Sequence, residues 1–174
     1  MSERLLLRPV RPTTSSLTAV VLAVVLAIGL LTTGCAGRSN GPRGAFTEGG
    51  VSVWAELTDR EASTSLRVRL SPQPGFHVYA LDLPPDGIDG LGRPTRVQVA
   101  SGGAVTGPAR ADRSTVLLRP SGLTVDLPVF PAGPVVINVP IRRTGTTPPT
   151  IVVSYAACSP TRCLMPVTHT LRLA

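Results

Sequence analysis

The chain contains no lysine; all 17 of its basic residues are arginine. Aromatic residues are scarce, with three Phe, two Tyr and one Trp in 174 residues, and there are only two His, two Met and three Cys. Each shortage removes a class of function. A nucleic-acid surface needs a clustered basic face with aromatic platforms, whereas these arginines are scattered and only Arg142 and Arg143 are adjacent. Copper handling draws on clusters of Met and His, and Met165 is the sole methionine after the start. Base catalysis has only His77 and His169 to use, and no serine sits between the glycines of a nucleophile elbow. Asp82, Asp86 and Asp89 fall in a Pro/Gly loop where Pro84-Pro85 spoils the spacing of a calcium-binding EF-hand. The missing lysine, beside abundant Ala, Gly, Pro and Val, reads as genomic base bias rather than as a guanidinium-specific site.

What is present begins with an apolar run. "MSERLLLRPVRP" supplies Arg4, Arg8 and Arg11, and "LTAVVLAVVLAIGLL" extends from Leu17 to Leu31. A basic stretch followed by an apolar one of about 7–15 residues is the secretory signal pattern. A spanning helix needs roughly 20 apolar residues, and this run ends in "TTGCAG" without a basic stop-transfer flank. Export is the expectation. Small residues and Gly34 before Cys35 resemble a bacterial lipobox, whose cysteine takes a diacylglyceryl thioether. The resemblance implies a lipoprotein signal peptide over residues 1–34 and lipidation of Cys35, which would hold the protein on the outer face of the cytoplasmic membrane. Residues 35–45 then read as the lipidated Cys and a flexible, turn-rich tether, and residues 46–174 as the folded domain. From Cys35 onward, 14 arginines face nine acidic residues, a net charge of +5. That supports no more than loose attraction to anionic lipid or envelope polymer.

After the tether the pattern alternates. Val51, Val53, Ala55 and Leu57 share one parity, and Leu66, Val68 and Leu70 share another against Arg67 and Arg69. "TRVQVA", "GLTVDLPV", "VVINVPI", "TIVVSYA" and "VTHTLRL" repeat the period of two, which marks strands with one buried face. Gly and Pro clusters separate them, and no segment shows helical periodicity with caps. The expected fold is all-β, an immunoglobulin-like two-sheet β-sandwich with a C-terminal cysteine hairpin. A domain of this length can bury an adequate core without disulfides. A monomer is expected.

Cys158 and Cys163 bracket Ser159-Pro160-Thr161-Arg162. Pro160 suits the second position of a type I turn, and cysteines flanking such a turn can face each other across paired strands. If Cys35 carries lipid, an even pair remains in an oxidising compartment. As a staple the pair would contribute about 2 kcal/mol, because it closes so small a loop. As a redox pair it gains from Arg162, a cation that favours the neighbouring thiolate. As a metal clip it lacks ligands: zinc usually takes four, and His169 lies ~20 Å along an extended strand. The residues alone leave staple and redox pair open; no cofactor or metal is expected.

"SYAACSPTRCLMPVTHTLRL" resembles the terminal signature of the amino-terminal domain of the thiol:disulfide interchange protein DsbD family, through Tyr155, Ala156-Ala157, Cys158, Cys163 and Pro166. Upstream, "PGFHVYALDLPPDGIDGLGRPTRVQV" resembles the family's "PGxHxY … GLPT" segment through Gly75, His77, Tyr79, Gly92, Pro94 and Thr95. The resemblance implies an immunoglobulin-like sandwich with a redox hairpin, and electron transfer by thiol–disulfide exchange. It implies that Cys163 forms the mixed disulfide and Cys158 resolves it, with His77, Tyr79, Arg162 and Pro166 flanking the pair. It implies as partners a membrane electron-transfer protein or thioredoxin-like protein, expected here as a separate chain, and exported thiol proteins as clients. The family's cap loop over the disulfide is aromatic and acidic, whereas the matching "SGGAVTGPARADRSTVLL" has no aromatic residue.

Overall fold

The period-two segments fold as strands that bury the predicted parity. The structure is a computed structural model that describes residues 41–60, 63–120 and 122–174. The expected signal peptide, the lipidation site Cys35 and tether residues 36–40 lie outside the described residues. In chain order the strands are β1 (Arg43–Glu48), β2 (Val51–Arg60), β3 (Ser63–Pro72), β4 (His77–Tyr79), β5 (Arg96–Ser101), β6 (Gly103–Val105), β7 (Arg110–Ala111), β8 (Val116–Leu118), β9 (Leu127–Phe130), β10 (Val135–Arg143), β11 (Thr150–Tyr155), β12 (Ala157–Cys158) and β13 (Val167–Arg172). No helix occurs among the described residues.

One sheet has the order β1-β2-β3-β10-β6, with β7 also pairing β10. β2 and β3 pair from Val51↔Pro72 to Arg60↔Ser63, and β3 pairs β10 from Leu70↔Val135 to Thr64↔Ile141. Because successive side chains alternate faces, this register sets Val53, Ala55, Leu57, Leu66, Val68, Leu70, Ile137 and Val139 side by side, all fully buried. Burying each large aliphatic side chain stabilises by about 1.5–3 kcal/mol. Packed into the same core are Ile151, Val153 and Tyr155 of β11, Val167 and Leu171 of β13, and Phe76, Val78 and Phe130. Apart from Phe76, which directly precedes β4, these come from two further sheets, β13-β11-β5 and β12-β4-β9-β8. The sandwich is therefore as expected, with its second layer divided into two hydrogen-bonded sheets.

β1 takes up Arg43–Ala45, a stretch assigned to the tether on sequence. "RGA" offers no alternation to read, and its order comes from backbone pairing. Arg43 pairs with Glu56 of β2 and exchanges two backbone hydrogen bonds with Ala174, at 2.9 and 3.0 Å.

Candidate functional site: a disulfide in a cleft

β4 is three residues long and wholly buried, because it is central in its sheet and covered on both faces. Phe76 and Val78 join the main core. His77 and Tyr79 have the opposite parity, and Tyr79 packs with Ala156, Cys158, Leu83, Leu127 and Val129 in a second, smaller cluster. β12 pairs β4 with Cys158 opposite His77 and Ala157 opposite Val78. Residues directly opposite in an antiparallel pair point to the same face, so Cys158 shares the face of His77 and Tyr79.

Cys158 and Cys163 form a disulfide across a tight hairpin, with Cα atoms 4.0 Å apart. Backbone bonds close the hairpin on both sides of the pair: Ser159 N donates to Arg162 O at 2.8 Å, and Leu164 N donates to Ala157 O at 2.9 Å. The Ser159 hydroxyl accepts from Thr161 N and Arg162 N, at 3.4 and 3.2 Å. This is the local side-chain turn that Ser favours. The two cysteines differ in exposure. Cys158 is 3% exposed, whereas Cys163 is an exposed residue.

The Tyr79 hydroxyl donates to Cys158 Sγ at 3.1 Å and lies 4.0 Å from Cys163 Sγ. Burial raises the Tyr79 pKa above its usual value, so the hydroxyl keeps its proton. The residues matched in "GLGRPT" hold this tyrosine. Thr95, fully buried, donates from Oγ1 to Tyr79 O at 2.6 Å. Gly92 has φ +78°, and a Cβ there would come within 2.8 Å of the Tyr79 ring. Only glycine takes that conformation freely, and only glycine leaves the ring room.

His77 is 8% exposed, with its ring edge-on to that of Tyr79 at 5.7 Å. It is therefore not a solvated strand position. Burial lowers its pKa, which favours the neutral ring. Its Nε2 is buried without a hydrogen-bond partner. Arg162 extends over the Phe76 ring, 5.4 Å from the centroid, in cation–π contact. Pro166 is exposed and is not among the residues that line the cleft. His169 belongs to another region: its ring stacks on Phe46 at 3.8 Å, and Nδ1 lies 3.0 Å from Glu48 Oε2.

A cleft of about 300 Å³ opens over the disulfide, lined by His77, Tyr79, both cysteines and the turn residues 159–162. Its remaining wall is Leu118, Arg119 and Pro120, at and just beyond the end of β8. The sequence did not single out these three residues. They wall the cleft without an aromatic side chain, and of the three only Leu118 belongs to the segment matched to the family's cap loop. Arg119 meets Asp126 in a two-pronged pair, Nε to Oδ1 at 2.8 Å and NH2 to Oδ2 at 2.6 Å. Their hydrogen bond and charge hold the Asp126 carboxyl below its usual pKa. A signal for this pair existed: opposite charges bracket "PSGLTV", as expected of facing hairpin positions.

No protein-family model matches the sequence, and a search of curated proteins finds no match. Solved structures do match. The N-terminal periplasmic domain of ScsB from Proteus mirabilis superposes with a TM-score of 0.56 at 13% identity, covering 77% of this chain and 51% of that one. The chain thus spans about half the length of the ScsB structure it matches. The amino-terminal domain of DsbD from Neisseria meningitidis, in reduced form, superposes with a TM-score of 0.48 at 13% identity, covering 72% of this chain and 85% of that one. At 13% identity the likeness to the ScsB domain is one of fold, and it agrees with the β-sandwich expected from the alternating segments.

Proposed function

We propose that this domain is an envelope thiol–disulfide exchange module whose working pair is Cys158–Cys163. The observation that carries the proposal is the unequal setting of the two cysteines: one an exposed residue at a cleft, the other a buried residue with a tyrosine hydroxyl on its sulfur. A partner thiolate attacks Cys163 Sγ, forming the mixed disulfide as the Cys158–Cys163 bond breaks. The electron pair leaves on Cys158 Sγ, toward which the Tyr79 hydroxyl already points. A second thiol of the partner then displaces Cys163, leaving both cysteines reduced and the partner oxidised. Passing the pair on to an oxidised client reverses these steps.

In this proposal electrons pass between a membrane electron-transfer protein or a thioredoxin-like protein and exported thiol proteins. The basic stretch, apolar run and Cys35 support export and attachment to the outer face of the cytoplasmic membrane through lipid. The resemblance of the cysteine and "PGFHVY" segments to the DsbD family supports the roles of Cys163 and Cys158.

The test is the reduction potential of the pair in the full chain, equilibrated with glutathione or dithiothreitol in detergent and read by thiol alkylation and mass. A value of roughly −120 to −270 mV is expected, together with a mixed disulfide that accumulates on Cys163 in the Cys158→Ala variant. A value below about −300 mV with slow native-state reduction would make the pair a structural staple in a non-catalytic binding sandwich.

A further inference from the structure

The exchange proposal leaves one buried group without work. His77 Nε2 has no hydrogen-bond partner although it is sealed from solvent. A buried unpaired polar atom carries its full desolvation cost. Such atoms in native structures call for a reason. The ring that bears it stands directly opposite Cys158, on the same face, and lines the disulfide cleft.

The demand for donors at this position changes with redox state. In the disulfide, Cys158 Sγ is uncharged and bonded to its neighbour, and one hydroxyl meets it. When the bond opens, the same sulfur leaves as a thiolate in a setting 3% exposed. A buried anion needs paired donors, and the two sulfurs, no longer bonded, must move apart. Other candidates are committed elsewhere. Arg119 is tied to Asp126, Arg162 lies over Phe76, and no carboxylate lines the cleft. Among the residues that line the cleft, Tyr79 and His77 are the buried ones whose side chains can donate.

We infer that His77 Nε2–H is a hydrogen-bond donor held in reserve, engaged by the Cys158 sulfur when the disulfide opens. It requires the Nε2–H tautomer of a neutral ring, and it makes His77 a determinant of potential and of Cys158's quality as a leaving group. No proton is transferred; the bond forms in the reduced and mixed-disulfide states and is absent in the oxidised one. The inference rests on the exchange proposal only for its consequence in turnover, since donor engagement is read in the protein itself.

Two variants and one spectrum test it, in the full chain in detergent. His77→Phe keeps a ring without a donor; His77→Gln places an amide N–H near the position of Nε2. Equilibrated with glutathione, His77→Phe should shift the thiol–disulfide constant about tenfold toward the disulfide, which is ~30 mV more negative. His77→Gln should stay within about threefold of the parent. The chain has only two histidines, so the ring nitrogen spectrum is simple. His77 Nε2–H should become protected and shifted on reduction with excess dithiothreitol, while His169 stays unchanged. A His77→Phe constant within twofold of the parent, a glutamine variant as impaired as phenylalanine, or an unmoved Nε2 signal overturns the inference. If a variant fails to fold, the parent's spectrum alone decides. A parent potential in the range of structural disulfides sinks the exchange proposal, while the spectrum still reports on the donor.

Discussion

The two halves of the molecule are built by different rules. In the large sheet β2, β3 and β10 run for 10, 10 and 9 residues, and long registers fix which side chains are buried. Around the disulfide, β4, β8, β9 and β12 run for only 3, 3, 4 and 2 residues. There, order comes from single contacts: Thr95 to the Tyr79 carbonyl, Gly92 under the Tyr79 ring, Arg119 to Asp126, and Ser159 inside its own turn. The lesson is a division of labour. Stability resides in the regular sheet, while the cleft can be tuned residue by residue without rebuilding the core.

That division can be broken from the stable side. Leu70→Ala, at a fully buried position between β2 and β10, should cost about 2–5 kcal/mol. Urea unfolding followed by tyrosine fluorescence and by thiol accessibility after reduction should then move together, because both regions depend on this core. Separate transitions would mean that the cleft folds independently of the large sheet.

A smaller effect sharpens the contrast from the other side. Gly92→Ala forces a non-glycine residue to φ +78° and drives a methyl into the Tyr79 ring. About 1–3 kcal/mol of destabilisation is expected, with a disproportionate effect on the disulfide through displacement of the Tyr79 hydroxyl. Stopped-flow reduction by dithiothreitol should change several-fold in Gly92→Ala and much less in Leu70→Ala. Equal changes in both variants would contradict local tuning of the cleft.

The smallest effect concerns pH. Burial depresses His77 below its ordinary value of 6.5, so the unfolded chain takes up this proton more readily than the folded one. The associated stability is fully present above about pH 6.5 and is lost as pH falls through the folded-state value. Urea midpoints from pH 7.5 to 5 should decline more steeply for the parent than for His77→Phe. Parallel curves would show that His77 titrates alike in both states.

The same contrast decides what could be read from sequence. The alternation of Val51 to Leu57 and of Leu66 to Leu70 showed buried faces directly, since long strands in a two-layer fold impose period two. The cysteine turn was legible because Pro160 and four intervening residues leave few geometries. His77 was not: a three-residue strand covered on both faces has no exposed parity, and burial of a histidine there depends on β9 and β12. Leu118–Pro120 escaped notice for a similar reason. They reach the disulfide through the path of the β8–β9 hairpin, which composition does not encode.

One detail of the cysteine hairpin bears on the traffic through it. The backbone bonds from Ser159 and Leu164 flank the disulfide on either side, so the loop does not rely on its sulfur link to stay closed. In an exchange module, loading two electrons would then leave the outline of the hairpin nearly unchanged. Donor and acceptor would meet the same face. Shape could not tell a full carrier from an empty one, and the direction of flow would be governed by the potentials of the proteins it meets.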